Sequence, residues 1–233
     1  MHVPDGFLDL PTSIATGVVA VAGIAVALPR ARREALDDRK APMVGIVATV
    51  IFAAQMINFP VGVGTSGHLM GGALAAVLVG PATGVLCLTV VLIVQALLFA
   101  DGGITALGTN ITLMAFVTVV VGWWVFRGFM LILPGRRWSV PIAAAAGALV
   151  SVPAAAAVFA GLFIVGGTVA VPAGAVFAAM LSWHAVIGVG EAVITALIVS
   201  AVMATRPDLV YGARFQRAGR RAARARARGE VPA

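Results

Sequence analysis

The 233 residues are 61% hydrophobic and 11% charged, with a formal net charge of +7 and a mean hydropathy of +1.06. That is far more apolar surface than one water-soluble core can absorb, so the composition excludes a soluble enzyme or soluble binding module and makes the bilayer the solvent. Apolar runs fill the chain to about Thr205, which predicts one membrane domain over residues 1–205 and a short Arg-rich tail over 206–233.

The chain opens with MHVPDGFLDLP, which carries Asp5 and Asp9 but no Lys or Arg. A secretory signal places basic residues before its apolar core, so this amino terminus is expected to be retained. Clear apolar segments then run over Leu10–Leu28, Met43–Phe59, Ala82–Phe99, Ile111–Phe126, Val140–Val165 and Ala173–Ala204. Each approaches or exceeds the roughly 17–25 residues that a tilted spanning helix needs. The single cysteine, Cys87, lies inside one of these runs, which excludes an intramolecular disulfide and a four-Cys zinc site and marks it as a small buried apolar residue.

Leu69–Val79 is different. As a helix it reaches only about 17 Å, too short for a core of about 30 Å. Splitting the chain at Gly80-Pro81 makes this piece a separate span, entered from a loop that dips into the protein. All 16 Lys and Arg, from Arg30, Arg39 and Lys40 through Arg127 and Arg136 to the tail, then share one side. Without the split, Arg127, Arg136, Arg137 and every arginine from Arg206 onward fall on the opposite side from the first group. The positive-inside rule selects the split model. The predicted fold is therefore an all-α integral membrane protein of seven transmembrane helices, amino terminus outside and carboxyl terminus cytoplasmic, in the cell membrane. The polybasic tail is read as lying against anionic lipid rather than nucleic acid. Small residues four apart, Gly23 with Ala27 and Ala143 with Gly147, permit close helix contacts.

This orientation gathers His2, Asp5, Asp9, His68 and Asp101 on the outer face with no cation among them, a field that concentrates small cations. His2 stands where an α-amine, its own amide nitrogen and its imidazole Nδ1 can close two chelate rings on one ion. Planar nitrogen coordination favours nickel(II) or copper(II), and low-spin cobalt(II) accepts it; calcium and magnesium want oxygen. The alternative is an unremarkable terminal histidine, with His68 a polar helix cap. Phe7, Leu8 and Leu10 are candidates for burying the terminal segment. On the last span His184 and Glu191 share a face, and intramembrane ionisable groups need a partner or a function: a structural network, or a role in metal release or subunit coupling. Asn58, Gln55, Gln95, Asp101 and Asn110 are candidates for holding the terminal segment in place.

Four stretches, MHVPDGFLDLP, QMINFPVGVGTSGHLMGGALAAVLVGP, QALLFADGGITALGTNITLM and WHAVIGVGEAVIT, in this order resemble the signatures of the CbiM/NikM family, over nearly all of the chain to about residue 204. These are the membrane substrate-binding subunits of energy-coupling-factor transporters for cobalt and nickel. The resemblance implies that Met1, His2 and His68 are metal ligands and that the cargo is Co2+ or Ni2+, with no cofactor. It also implies a coupling transmembrane subunit, two ATPase subunits and a small two-span accessory membrane subunit as partners, the last expected to be a separate chain. The one lysine, Lys40, is not in a GxxxxGK[ST] phosphate loop, so ATP hydrolysis is expected in partners and the chain is not expected to be an enzyme. Two other readings stand beside this. Gly64-Thr65-Ser66-Gly67 matches the GxSG of rhomboid-type intramembrane serine proteases, with His184 as the base. Glu191 could serve a stand-alone proton-coupled carrier, although no second copy of the broken segment is found.

Overall fold

The computed structural model describes residues 1–34, 41–62 and 65–215. Arg39, Lys40, Gly64 and the arginines from Arg217 onward lie outside the described residues. Helices α1 (Leu10–Glu34), α2 (Ala41–Met56), α3 (Gly72–Val79), α4 (Pro81–Leu98), α5 (Leu107–Asn110), α6 (Thr118–Ile132), α7 (Ser139–Gly166) and α8 (Ala173–Thr205) follow in order. A π-helical stretch, Ile111–Val117, joins α5 to α6 into one rod over Leu107–Ile132. That rod, α1, α4, α7 and α8 are each long and apolar enough to cross a membrane, whereas α2 is apolar but has 16 residues. The fold is not helical throughout: between α2 and α3 the chain forms a short antiparallel hairpin, β1 (Phe59–Gly62) with β2 (Thr65–Gly67). This is the segment expected to dip into the protein as a loop.

Burial patterns explain why these helices are amphipathic toward protein rather than toward water. On α1 the buried positions are Thr12, Thr16, Ala20, Gly23, Ala27 and Ala31, a narrow stripe of small residues. Val18, Val21 and Val26 project outward, with exposures of about half or more, as a lipid-facing surface requires. On α8 the stripe is Val176, Met180, His184, Gly188, Glu191, Thr195, Val199 and Met203. Both ionisable groups of this helix thus face protein.

All eight residues of α3 are buried. Gly80 ends it with φ 103°, a backbone conformation that disfavours any residue with a Cβ, and Pro81 starts α4. The chain then doubles back: a Cβ at Gly84 would lie 3.2 Å from the Ala76 nitrogen, whereas eight residues of continuous helix span about 12 Å. The expected split at Gly80-Pro81 is present. Glu34, at the end of α1, accepts hydrogen bonds from Thr83 N (2.8 Å), Thr83 Oγ1 (2.9 Å) and the Tyr211 hydroxyl (3.2 Å), so it caps α4 where the orphan amides need an acceptor. Beyond α8 the chain returns, and Tyr211 N and Gly212 N donate to the carbonyls of Leu78 (3.0 Å) and Val77 (2.9 Å), satisfying the carboxyl end of α3. Val210 and Ala213 are buried there.

The two expected small-residue seams are real contacts. A Cβ at Gly23 would lie 2.9 Å from Phe116, and one at Gly147 would lie 2.6 Å from the Gly122 carbonyl oxygen; Gly122 in turn abuts Ala73 of α3. We expect Gly147→Val to destabilise the protein by about 1–3 kcal/mol, because the obstacle is backbone and cannot swing aside. A lowered melting temperature of the detergent-purified protein is the measure, and Gly128→Val, where a Cβ meets nothing, is the control expected to show a smaller effect.

Candidate metal centre

Residues 1–9 run into the protein, and each part of the segment is held by a different element. Asp9 caps α1 through Thr12 N (2.9 Å), its own amide donates to the Gly166 carbonyl (2.7 Å), and Thr168 N donates to the Phe7 carbonyl (3.2 Å). Phe7 packs on Phe159 and Phe163 of α7 with ring centroids 5.8 and 5.4 Å away. Phe7 and Leu8 are buried as expected, but Leu10 is 70% exposed, because it opens α1 on its lipid-facing side. Asp5 Oδ1 accepts from Thr105 N (2.7 Å) and Thr105 Oγ1 (2.5 Å). Asn110 holds Val3 from both sides: its Oδ1 accepts from Val3 N (2.8 Å) and its Nδ2 donates to the Val3 carbonyl (3.2 Å), which also accepts from Gly103 N (2.9 Å).

This clasp brings the Met1 α-nitrogen into contact with His68 Nε2. Met1 and His68 are each 1% exposed and His2 5%. The His2 and His68 rings lie 4.5 Å apart, centroid to centroid. Hydrogen bonds set both tautomers. His68 Nδ1 donates to the Leu69 carbonyl at 2.8 Å, so Nε2 carries the lone pair that faces the Met1 amine. His2 Nε2 donates to Gln95 Oε1 at 3.2 Å, leaving Nδ1 bare. Asp101 Oδ1 is 3.2 Å from that Nδ1, but the pair lacks hydrogen-bond alignment and Nδ1 has no donor. A buried acceptor without a donor typically costs about 1–3 kcal/mol, so the bare lone pair on this nitrogen calls for an explanation.

Burial decides the charge of these groups. It drives the α-amine well below its ordinary value, with Asp101 opposing, and drives His68 down likewise, reinforced by the amine and by His2. His2 is pushed to about 3, first by burial and then by the neighbouring amine, with Gln95 opposing. All three nitrogen groups are therefore neutral at pH 7 with lone pairs available. Burial raises the Asp101 carboxyl, partly offset by the amine.

Among the described residues no group of three or more His, Cys, Asp and Glu comes together as a metal site. What comes together here is two imidazoles and the chain's terminal amine, a set that side-chain inventories overlook. Of the residues proposed to support it, Asn110 touches the segment directly, and Asp101 lies beside His2. Asn58 acts from outside, donating to Asp101 Oδ2 at 3.4 Å. Glu191 supports His68 from below: its carboxylate accepts from Met70 N (2.7 Å) and Gly71 N (2.9 Å) at the start of α3, and Gln55 Nε2 donates to the Met70 carbonyl (2.8 Å). His184 is fully buried, with Nδ1 bonded to the Met180 carbonyl at 2.7 Å. Thr105 and Thr168 were missed, because a threonine in a polar loop carries no signal of what it will bind.

A family model described as CbiM, the cobalt uptake substrate-specific transmembrane region, matches residues 2–209. The chain belongs to the CbiM family. A putative fused nickel transport protein NikMN of Archaeoglobus fulgidus is 41% identical over 90% of this chain and 68% of its own length. A putative metal transport protein of Haloquadratum walsbyi is 40% identical over 91% and 94%, and the cobalt transport protein CbiM of Geobacter sulfurreducens is 36% identical over 55% and 38%. A crystal structure of a truncated transition metal transporter superposes with a TM-score of 0.79 at 33% identity, covering 87% of this chain and 98% of that one. CbiM membership, with the apolar spanning helices, makes this a multi-pass membrane protein of cobalt or nickel transport whose metal ion is cargo. The protease reading falls with it, since the relatives are transport proteins.

The clasp predicts that Asn110→Leu, which leaves the Val3 amide and carbonyl without their buried side-chain partner, weakens the seat of the terminal segment by about 1–3 kcal/mol. Hydrogen exchange at residues 3–8 should rise while exchange in α7 stays unchanged. Gly102→Ala should act in the same direction, because Gly102 has φ +92° and a Cβ there would lie 2.9 Å from Asn110 Nδ2 and 3.1 Å from His2 Cδ2.

Proposed function

We propose that this chain is the substrate-capture subunit of an ATP-driven energy-coupling-factor uptake transporter for cobalt(II) or nickel(II). The ion is held by the Met1 α-amine, the His2 amide nitrogen, His2 Nδ1 and His68 Nε2. The observation that carries the reading is the burial of the amino terminus with its α-nitrogen against His68 Nε2. A chain end ordinarily keeps its charge in water, and burying it neutral beside two imidazoles is costly unless something binds there. An ion that displaces an amide proton must polarise strongly, which selects nickel(II), copper(II) or low-spin cobalt(II) over calcium and magnesium.

The domain crosses the membrane seven times with its amino terminus outside and the Arg-rich tail on the cytoplasmic side, and the return of residues 210–213 onto α3 carries the membrane domain past Thr205. A coupling transmembrane subunit, two ATPase subunits and a small two-span accessory subunit complete the transporter. In a Cys87→Ala background, a cysteine at Ala170 should react from outside with a membrane-impermeant thiol reagent and one at Gly135 should not. The reverse pattern would overturn the orientation.

The chelate is tested by titrating nickel and cobalt into four forms of the full chain. Adding one residue before Met1, or changing His2→Ala, should abolish tight binding, and His68→Ala should leave a weaker three-nitrogen site. Unchanged affinity in the extended form would refute the terminal chelate. The buried site also fixes the proton count. With the amine and both imidazoles already neutral, loading at pH 7 should release about one proton, that of the His2 amide. An exposed terminal amine near its ordinary value of about 8 would add nearly a second. Calorimetry in buffers of different ionisation enthalpy counts them. Affinity should accordingly fall about tenfold per unit as pH drops, with no added break at the usual imidazole value of about 6.5.

A further inference from the structure

His184 has a feature that the terminal chelate leaves unused. It is 0% exposed. Its Nδ1 proton is committed to the Met180 carbonyl at 2.7 Å, so Nε2 carries a lone pair, and no donor among the described residues meets it. The surface of α8 that presents it lies on the His68 loop. Ile187, one turn on, reaches to within 2.9 Å of where a Cβ on Gly67 would stand, and Glu191, another turn on, binds the amides of Met70 and Gly71. A bare imidazole nitrogen is thus buried on the face of α8 that packs on the His68 loop.

The chemistry of planar ions gives that nitrogen a task. Nickel(II) in a square of four nitrogens exchanges ligands associatively: a fifth donor adds above or below the plane before any original bond breaks. Water usually supplies it. Around Met1, His2 and His68, at 1–5% exposure, solvent is poorly placed to do so.

We propose that His184 Nε2 is the entering ligand that lets the ion into and out of the Met1–His2–His68 site, a role that rests on the ligand set proposed above. On release, the Nε2 lone pair forms a fifth bond to the ion, and the bond to His68 Nε2, the one donor outside the terminal chelate rings, then breaks. No electron is transferred, and His68 keeps its lone pair. The His2 amide regains its proton from solvent as the terminal chelate lets go, and the last bond, from His184 Nε2, breaks as water takes its place on the departing ion. Loading runs the same steps in reverse. His184 therefore sets the rate of exchange and leaves the affinity alone, which separates it from a static ligand and from a packing residue.

The test uses the full chain in nanodiscs, loaded with nickel and mixed with excess EDTA while the absorbance of the planar complex is followed. In the native protein the release rate should be independent of EDTA concentration, because the nucleophile is internal. His184→Ala and His184→Phe should release nickel at least about tenfold more slowly, with dissociation constants within about threefold of native. Free imidazole should speed release from His184→Ala, where the lost side chain leaves room for it; a cavity of about 320 Å³ already reaches His68 and the Ile187 and Glu191 positions of the same helix. It should not speed release from His184→Phe, which fills that space. Variants that release at the native rate would overturn the role, as would an affinity change that matches the rate change. Should neither variant fold, a native release rate proportional to EDTA concentration overturns it alone. Failure of the native chain to bind nickel would bring down the ligand set, whereas native binding with unchanged variant kinetics brings down only His184.

Discussion

The contact between the Met1 α-nitrogen and His68 Nε2 requires that a chain end be carried into a low-dielectric interior, and much of the surrounding structure answers that requirement. A terminal amine is charged in water, and its burial is tolerable only in the neutral form. The segment behind it carries backbone amides and carbonyls that water no longer serves. Asn110, Gly103, Gly166 and Thr168 take over that service at Val3, Asp9 and Phe7. These partners come from three distant parts of the chain, so the site exists only when the loop after α4, the rod Leu107–Ile132 and the turn after α7 are all in place.

His68 faces the same problem from the other side. It sits where the β1–β2 hairpin hands over to α3, with irregular backbone at a depth where unsatisfied amides are costly. Glu191 and Gln55 satisfy the backbone immediately after it. The far end of α3 is held by Tyr211 and Gly212. An eight-residue helix that nothing anchored would fray. Held at both ends by side chains or backbone from elsewhere and buried along its length, it makes a rigid base for His68. Glu191 thus has a structural part to play as the acceptor of these two amides.

Much of this was legible in the sequence, for identifiable reasons. Apolar run lengths located the long helices, and Gly80-Pro81 marked the break because glycine and proline act on the local backbone. His2 and His68 stood out because histidines are scarce in this chain. Leu10 misled, since hydrophobicity says that a residue leaves water but not whether it meets protein or lipid. The hairpin was hidden because FPVGVGTSG, with one proline and three glycines, reads as a loop and offers only two short runs for strands. Gln95 and Asn110 were visible as polar residues near span ends, yet their roles depend on contacts across 93 and 107 positions of chain. The seven-residue spacing of His184 and Glu191, by contrast, already placed them on one face of the last span, and what remained open was what that face would meet.

A site that excludes water gains selectivity and loses speed. On the proposed ligand set, four nitrogens with no oxygen and little solvent disfavour calcium and magnesium, which shed their hydration reluctantly and gain nothing from nitrogen. The same dryness strengthens every metal–nitrogen bond, because no bulk water screens or replaces it. A transporter cannot keep such a bond indefinitely. The ion must leave in the time of one transport cycle, so affinity and exchange have to be set by different atoms. Making the chelate from the chain terminus offers one route, because a terminal segment held by hydrogen bonds at Val3 and Phe7 can be loosened without unfolding any helix. A lone pair waiting on α8 offers another, because it lowers the barrier without weakening the bound state. Both depend on polar groups that helix packing alone would never have required, which is why asparagine, glutamine and histidine appear at full burial in a chain otherwise built from alanine, valine and glycine.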